Sequence, residues 1–204
     1  FRSGLIKRGA GETKKAVCLF CDIRSFTAIS ETLTPVKLVK LLNVYFSELI
    51  PIIENSGGTI DKLVGDMIAA FWNVPNSMPN PELAAVRAAI EMQKTMISKV
   101  VPHWVAEGVP RIGIGIGVNS GEVIAGNIGS SNFMNYTVLG HDVHYAEVLE
   151  SNARPGQVLI PESMGELLSG KIPQGKKMEK EVSVLGKSKK MSYRIIMPVN
   201  YPDY

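Results

Sequence analysis

Ala16-Val17-Cys18-Leu19-Phe20-Cys21-Asp22-Ile23-Arg24-Ser25-Phe26-Thr27 is an apolar run closed by an acid and a polar turn. Residues 16–22 are too continuously apolar for a half-exposed strand and predict a central one. Its counterpart is Gly57-Gly58-Thr59-Ile60-Asp61-Lys62-Leu63-Val64-Gly65-Asp66-Met67-Ile68-Ala69-Ala70-Phe71-Trp72. That stretch divides at Gly65-Asp66 into runs 59–64 and 67–72, the pattern of a β-hairpin. Between the two stretches lies one helix. Thr34-Pro35 supplies a cap and a first-turn proline. Val36, Val39, Leu42, Phe46, Leu49 and Ile53 recur at helical spacing until Gly57-Gly58. Asp22 and Asp66 thus stand at the lips of two strands, where a buried carboxylate is costly unless it meets something cationic. A shared divalent-cation site is the expectation.

Further along, residues 82–107 predict a second long helix, with Ala85, Ala89, Met92, Met96 and Val100 on its core face. Arg111-Ile112-Gly113-Ile114-Gly115-Ile116-Gly117-Val118 and residues 122–128 predict a hairpin that turns at Asn119-Ser120-Gly121. Its alternating glycines leave one strand face bare, open to close approach by another backbone. No helix follows these glycines directly, so they are not a dinucleotide-binding loop. A short segment at 134–138, a helix near 141–152 and strands at 157–160, 181–185 and 191–196 complete the chain. This order predicts an α+β fold: a ferredoxin-like βαββαβ core with additional C-terminal strands, its antiparallel sheet carrying helices on one face. Residues 1–15, with Gly9-Ala10-Gly11, read as a lead-in, 16–197 as the domain and 198–204 as a tail.

At 204 residues the chain suits a single domain with ample core. A net charge of +3 is too small to argue for nucleic acid. The lysines at 176, 177, 180, 187, 189 and 190 alternate with Glu179 and Glu181, as on a solvated hairpin face. No apolar run approaches the roughly 18–20 residues that span a bilayer, and no signal peptide opens the chain. The abrupt start at Phe1 reads as a domain cut from a longer protein, with membrane contact only through flanking regions. Cys18 and Cys21, three apart on a strand, point to opposite faces and cannot share a ligand or a disulfide. Two cysteines used as small apolar residues fit a reducing, cytoplasmic compartment.

Mg²⁺ is usually held by one or two carboxylates together with substrate phosphates, a role that suits Asp22 and Asp66. Two ions can clamp the attacking and leaving oxygens of a phosphoryl displacement. The turn through Ser25, Phe26 and Thr27 precedes a helix, where free N–H groups favour an anion. Metal beside a phosphate nest implies a nucleoside triphosphate. The same spacing also fits a purely structural reading, in which Asp66 shapes the hairpin turn and Asp22 caps the helix.

Residues 17–27, 57–71, 113–129 and 136–140, in that order, resemble the catalytic domain of class III adenylyl and guanylyl cyclases. The resemblance covers about residues 16–197. It implies an antiparallel dimer, homomeric or with another cyclase domain, whose active site lies in the cleft between partners. The implied reaction is attack of the ribose 3′-oxygen of ATP on the α-phosphate, giving cyclic AMP and pyrophosphate with Mg²⁺ or Mn²⁺. By position, the resemblance makes Asp22 and Asp66 the metal ligands, with the Ile23 carbonyl a third, and Lys62 and Thr137 the base-selecting residues. Their chemistry supports adenine: lysine can only donate, adenine N1 accepts where guanine N1 donates, and threonine can accept from the adenine amino group. Cyclases that make cyclic GMP carry Glu at the Lys62 position.

The chain departs from the family at three positions. His144 stands where Asn orients the ribose, Val148 where Arg neutralises the α-phosphate, and Leu185 where Lys contacts phosphates, with Lys187 a nearby cation. Losing one preorganised donor of this kind costs on the order of 10²–10³ in rate. The metal half is kept and the transition-state half altered. Two expectations follow: an adenylyl cyclase with a diverged catalytic helix, or a degenerate, nucleotide-binding regulatory or heterodimer partner. His144 reads either as a substitute ribose donor or as an interfacial histidine. A helical metal site from His141, His144 and Glu147 is a further reading, and Arg154 is expected to cap that helix.

Overall fold

In a computed structural model, the chain is described over residues 11–130, 132–184 and 187–199. The first strand, β1 (Glu12–Ile23), begins ahead of the apolar run because its polar start is paired along its whole length with the long strand β4 (Ile114–Gly129). Its alternation sorts the apolar run onto two faces. Val17, Leu19, Cys21 and Ile23 enter one core cluster, and Ala16, Cys18 and Phe20 another. A strand covered on both faces needs no polar side, which accounts for the continuous run.

After the single turn α1 (Phe26–Ser30) comes α2 (Pro35–Asn55), whose Thr34 hydroxyl accepts from the Lys37 N–H at 3.4 Å. Leu41, Tyr45, Leu49 and Ile53 form its buried stripe, while Val36 and Val39 are exposed. Leu49 and Ile53 are buried as predicted, while earlier in the helix Leu41 and Tyr45 take the core positions and Leu42 and Phe46 flank them half-buried. The hairpin β2 (Thr59–Val64) and β3 (Met67–Trp72) turns at Gly65, whose φ of 61° suits glycine.

The predicted second helix is broken in its middle: α3 (Pro81–Thr95), a π-type turn (Met96–Val100) and α4 (Val101–Ala106). Pro102 lacks the N–H that an unbroken α-helix would use, and a widened turn absorbs the misfit. Ala85, Ala89, Met92, Met96 and Val100 are all fully buried, as their spacing predicts.

The remaining elements are β5 (Met134–Leu139), α5 (His141–Asn152), β6 (Val158–Pro161), α6 (Glu162–Leu167), β7 (Lys176–Val184) and β8 (Lys187–Ile196). The sheet order is β2-β3-β1-β4-β6-β8-β7, with β5 on the far half of β4. All pairs are antiparallel except β4 with β6. Strands β2-β3-β1-β4 with α2 and α3 are the ferredoxin-like core, the α+β class expected. Both helices cover one face. The later α5 departs from that expectation and lies on the other, where Ala146 packs with Cys18, Phe20 and Ala69.

The reason is the bare face of β4. A Cβ on Gly117 would come 2.2 Å from the Glu150 nitrogen and 2.4 Å from the Ala146 oxygen, so α5 rests directly on the strand backbone. Gly117→Ala is expected to cost about 2 kcal/mol or more through overpacking. An unshifted thermal midpoint would contradict this close approach.

Asn119-Ser120-Gly121 does not turn. The strand β4 runs straight through, pairing Ser120 with Val17 and Gly121 with Ala16. These turn-type residues are spent on tertiary contacts instead. Asn119 Nδ2 donates to the Asp142 carbonyl at 2.8 Å, and the Ser120 hydroxyl to Glu82 Oε1 at 3.0 Å. A Cβ on Gly121 would sit 2.1 Å from the Asp142 carboxylate.

Cys18 and Cys21 are free, buried and on opposite faces. Burial pushes both thiols up to about 12. Neither is expected to react with a thiol reagent in the native protein, and both should react once it is unfolded; rapid native labelling would contradict their burial. Among the described residues no helix is long and apolar enough to cross a membrane.

Candidate active site

Two carboxylates converge on one peptide at the end of β1. The Ile23 N–H donates to Asp66 Oδ2 at 2.8 Å and to Asp22 Oδ1 at 3.1 Å. The β1–β3 register produces this meeting. Cys21 pairs with Ile68, so the hairpin residue two before Ile68 falls beside the peptide two beyond Cys21. Asp66 is buried, at 8% exposure. Burial raises its carboxyl to about 7, the hydrogen bond and charge of Asp22 raise it as well, and the Ile23 N–H only partly offsets them. The two carboxylates share this backbone donor, and the cation beside the pair is the Arg24 guanidinium, 3.3 Å from Asp22 Oδ2. The Asp22 and Asp66 carboxylates are donors of the hard, oxygen-only kind that Mg²⁺ and Mn²⁺ prefer. Asp22, Ile23 and Asp66 are thus brought together.

Ser25 follows in the left-handed region, φ 61°, at the cap of α1. That helix is a single turn, so residues Ser25, Phe26 and Thr27 offer backbone N–H groups with little dipole behind them. The Phe26 side chain itself packs against the core.

Arg24 was given no part by the sequence, yet it ties this corner to α5. Its Nη1 lies 3.4 Å from the carbonyls of Glu150 and Ala153, its Nη2 donates to the Glu150 carboxylate, and the same nitrogen is 3.3 Å from Asp22 Oδ2. Arg24, not Arg154, closes the C-terminus of α5. The Arg154 main-chain N–H instead donates to Gln157 Oε1 at 3.0 Å. One sequence signal pointed here: Gly115 sits opposite Asp22 in the ladder, and a Cβ there would lie 3.1 Å from Arg24 Cζ.

Lys62 projects from β2, half exposed, with Nζ 3.1 Å from Asp61 Oδ2. Asp61 occupies a bulge where the β2–β3 register shifts between Ile60 and Lys62. Its side chain is 6% exposed, and Oδ1 has no hydrogen-bond partner. Asp61 was also missed, because a bulge reverses the alternation from which burial is read. Thr137, on β5 opposite Gly126, is buried with an unpartnered Oγ1. An orphaned buried hydroxyl is costly alone and suits a site completed by a ligand.

On α5 the His144 ring pairs with Glu147 at 3.0 Å, and His141 stacks on Tyr145 at 6.5 Å between centroids. No group of three or more His, Cys, Asp and Glu side chains is arranged around one point among the described residues, so His141, His144 and Glu147 do not form a metal site there. Val148 is buried in an apolar cluster with Leu149, Ala153, Leu159, Val182, Met191 and Tyr193. Leu185 and the side chain of Lys187 lie outside the described residues.

The ferredoxin-like sheet thus carries paired carboxylates at the end of its strand β1. The chain belongs to the adenylate and guanylate cyclase catalytic domain family, whose family model matches residues 10–197. It is 33% identical over 195 residues to an adenylate cyclase of Anabaena cylindrica, covering 92% of this chain and 38% of that relative's length. Among solved structures, the adenylyl cyclase CyaB from P. aeruginosa aligns with a TM-score of 0.82 at 33% identity, over 92% of this chain and 96% of that one. The guanylyl cyclase Cya2 aligns with the same TM-score at 32% identity, over 94% and 96%.

Proposed function

We propose that this domain converts ATP to 3′,5′-cyclic AMP and pyrophosphate, working in a dimer whose partner completes the cleft. The convergence of Asp22 and Asp66 on the Ile23 peptide carries the proposal. With the Ile23 carbonyl, these residues would hold Mg²⁺ or Mn²⁺, which when bound supplies charge neutralisation along the triphosphate and a more acidic 3′-hydroxyl. The chain's own work is placement. Residues 25–27 present N–H groups to phosphate, with Lys187 a further cation. Lys62 donates to adenine N1 and Thr137 Oγ1 accepts from the adenine amino group, which ends its orphaned state.

Base choice does not follow from likeness, since an adenylyl and a guanylyl cyclase match the fold equally well. It rests on Lys62 and Thr137. Lys62→Glu is expected to lower kcat/KM for ATP by about 10²-fold or more, because a site built for one donor pattern strands a group on the wrong base. Cyclic AMP and cyclic GMP yields from the purified domain measure this. Equal use of GTP by the unmodified domain would overturn the adenine assignment.

A second reading has its own support in the apolar burial of Val148. On that reading the domain binds nucleotide and contributes the metal half to a partner that supplies the missing Asn and Arg. Cyclic AMP formed only when such a partner domain is added would favour it. The cytoplasm is the proposed location, with no role for nucleic acid; any membrane tie would come through flanking regions.

A further inference from the structure

Arg24 lies between the Asp22–Asp66 corner and the C-terminal end of α5 and faces a carboxylate of each. Its Nη2 is shared between Asp22, at 3.3 Å from Oδ2, and the Glu150 carboxylate. Its Nη1 closes on the final carbonyls of α5, and its Nε is buried without a partner. Glu150 is buried, and α5 also carries His144 and Val148. Gly115 and Gly117 let this helix end sit against the strand that faces the metal corner. One guanidinium therefore reads the charge of Asp22 and the position of α5 together.

The geometry points to Arg24 as a positioning residue that competes with a divalent cation for Asp22. The inference rests on the reading of Asp22 as a metal ligand. A fixed positive charge this close to a carboxylate opposes a cation there. When a cation takes Asp22, the guanidinium is left to Glu150 and the α5 carbonyls, and the helix is held more firmly. By linkage, whatever fixes α5 against Arg24 must tighten metal binding by the same factor.

The test is Mn²⁺ binding to the nucleotide-free protein, followed by electron paramagnetic resonance of free Mn²⁺, with Asp22→Ala defining the Asp22-dependent site. Arg24→Met is expected to tighten that site by about fivefold, since the competing charge is gone. Glu150→Gln, which frees the guanidinium to close on Asp22, is expected to weaken it by about threefold. A residue that merely held α5 in place would move both variants in the same direction, or neither, and either result overturns the inference. Should Arg24→Met not fold with Glu150 stranded, Arg24→Met combined with Glu150→Met removes both charges and is expected to tighten Mn²⁺ binding likewise. Unchanged affinity in the paired variant would also overturn it. Absence of Asp22-dependent binding in every protein would instead overturn the metal reading itself, and the coupling with it.

Discussion

Asp66→Asn is expected to abolish cyclic nucleotide formation while raising the thermal midpoint of the metal-free protein above neutral pH. The two effects have one cause. Asp66 is buried beside Asp22, and its carboxyl stands at about 7 against an ordinary 3.8. The folded protein therefore holds a proton that the unfolded chain releases. Stability from this group is fully present below the unfolded value and is lost as pH rises through the folded one. Metal-free wild type should lose stability between about pH 4 and 7. Asparagine keeps an acceptor for the Ile23 N–H and carries no charge, so this group's share of the pH dependence should vanish. The activity goes because a neutral amide is a poor ligand for a hard cation; the expected loss is about 10³-fold or more, the scale of removing preorganised charge. Mn²⁺ should narrow the stability gap by stabilising wild type alone. Retained turnover, or a lower midpoint than wild type at high pH without metal, would contradict this prediction.

Restoring the altered helix is expected to work in the opposite direction. His144→Asn with Val148→Arg should raise turnover of ATP by about 10²-fold or more, by returning the ribose contact and the charge over the α-phosphate. The gain comes at a structural cost. Val148 is 9% exposed among apolar neighbours, so an arginine must run its stem along them and extend its head toward the cleft. A lower midpoint should therefore accompany the higher rate. A folded, metal-binding variant with no gain in rate would contradict a competent scaffold that has lost only these groups.

Much of the fold was legible because its signals are local. The hairpin at Gly65-Asp66, the cap at Thr34 and the five buried positions from Ala85 to Val100 need only periodicity and turn chemistry. The site's carboxylates were legible for a related reason: an acid closing an apolar run stands out against its neighbours. The misread parts depend on partners distant in sequence. Asn119-Ser120-Gly121 has turn composition, but Glu82 and Asp142 supply the polar contacts that keep β4 straight. The glycines at 115 and 117 announced a close approach without saying which element would make it. Arg24 looked like a turn residue until α5 arrived, and Asp61 disappeared into a bulge.

Cyclic AMP formation by the purified domain with Mn²⁺ and ATP, across a wide range of protein concentration, bears on all of this at once. On the proposed reading, in which two copies share the site, activity should rise faster than linearly with concentration, as mass action fills the dimer. Cyclic GMP should not form from GTP. That is the predicted result. No product at any concentration, despite measurable binding of Mn²⁺ and ATP, would contradict an adenylyl cyclase assembled from two copies of this chain.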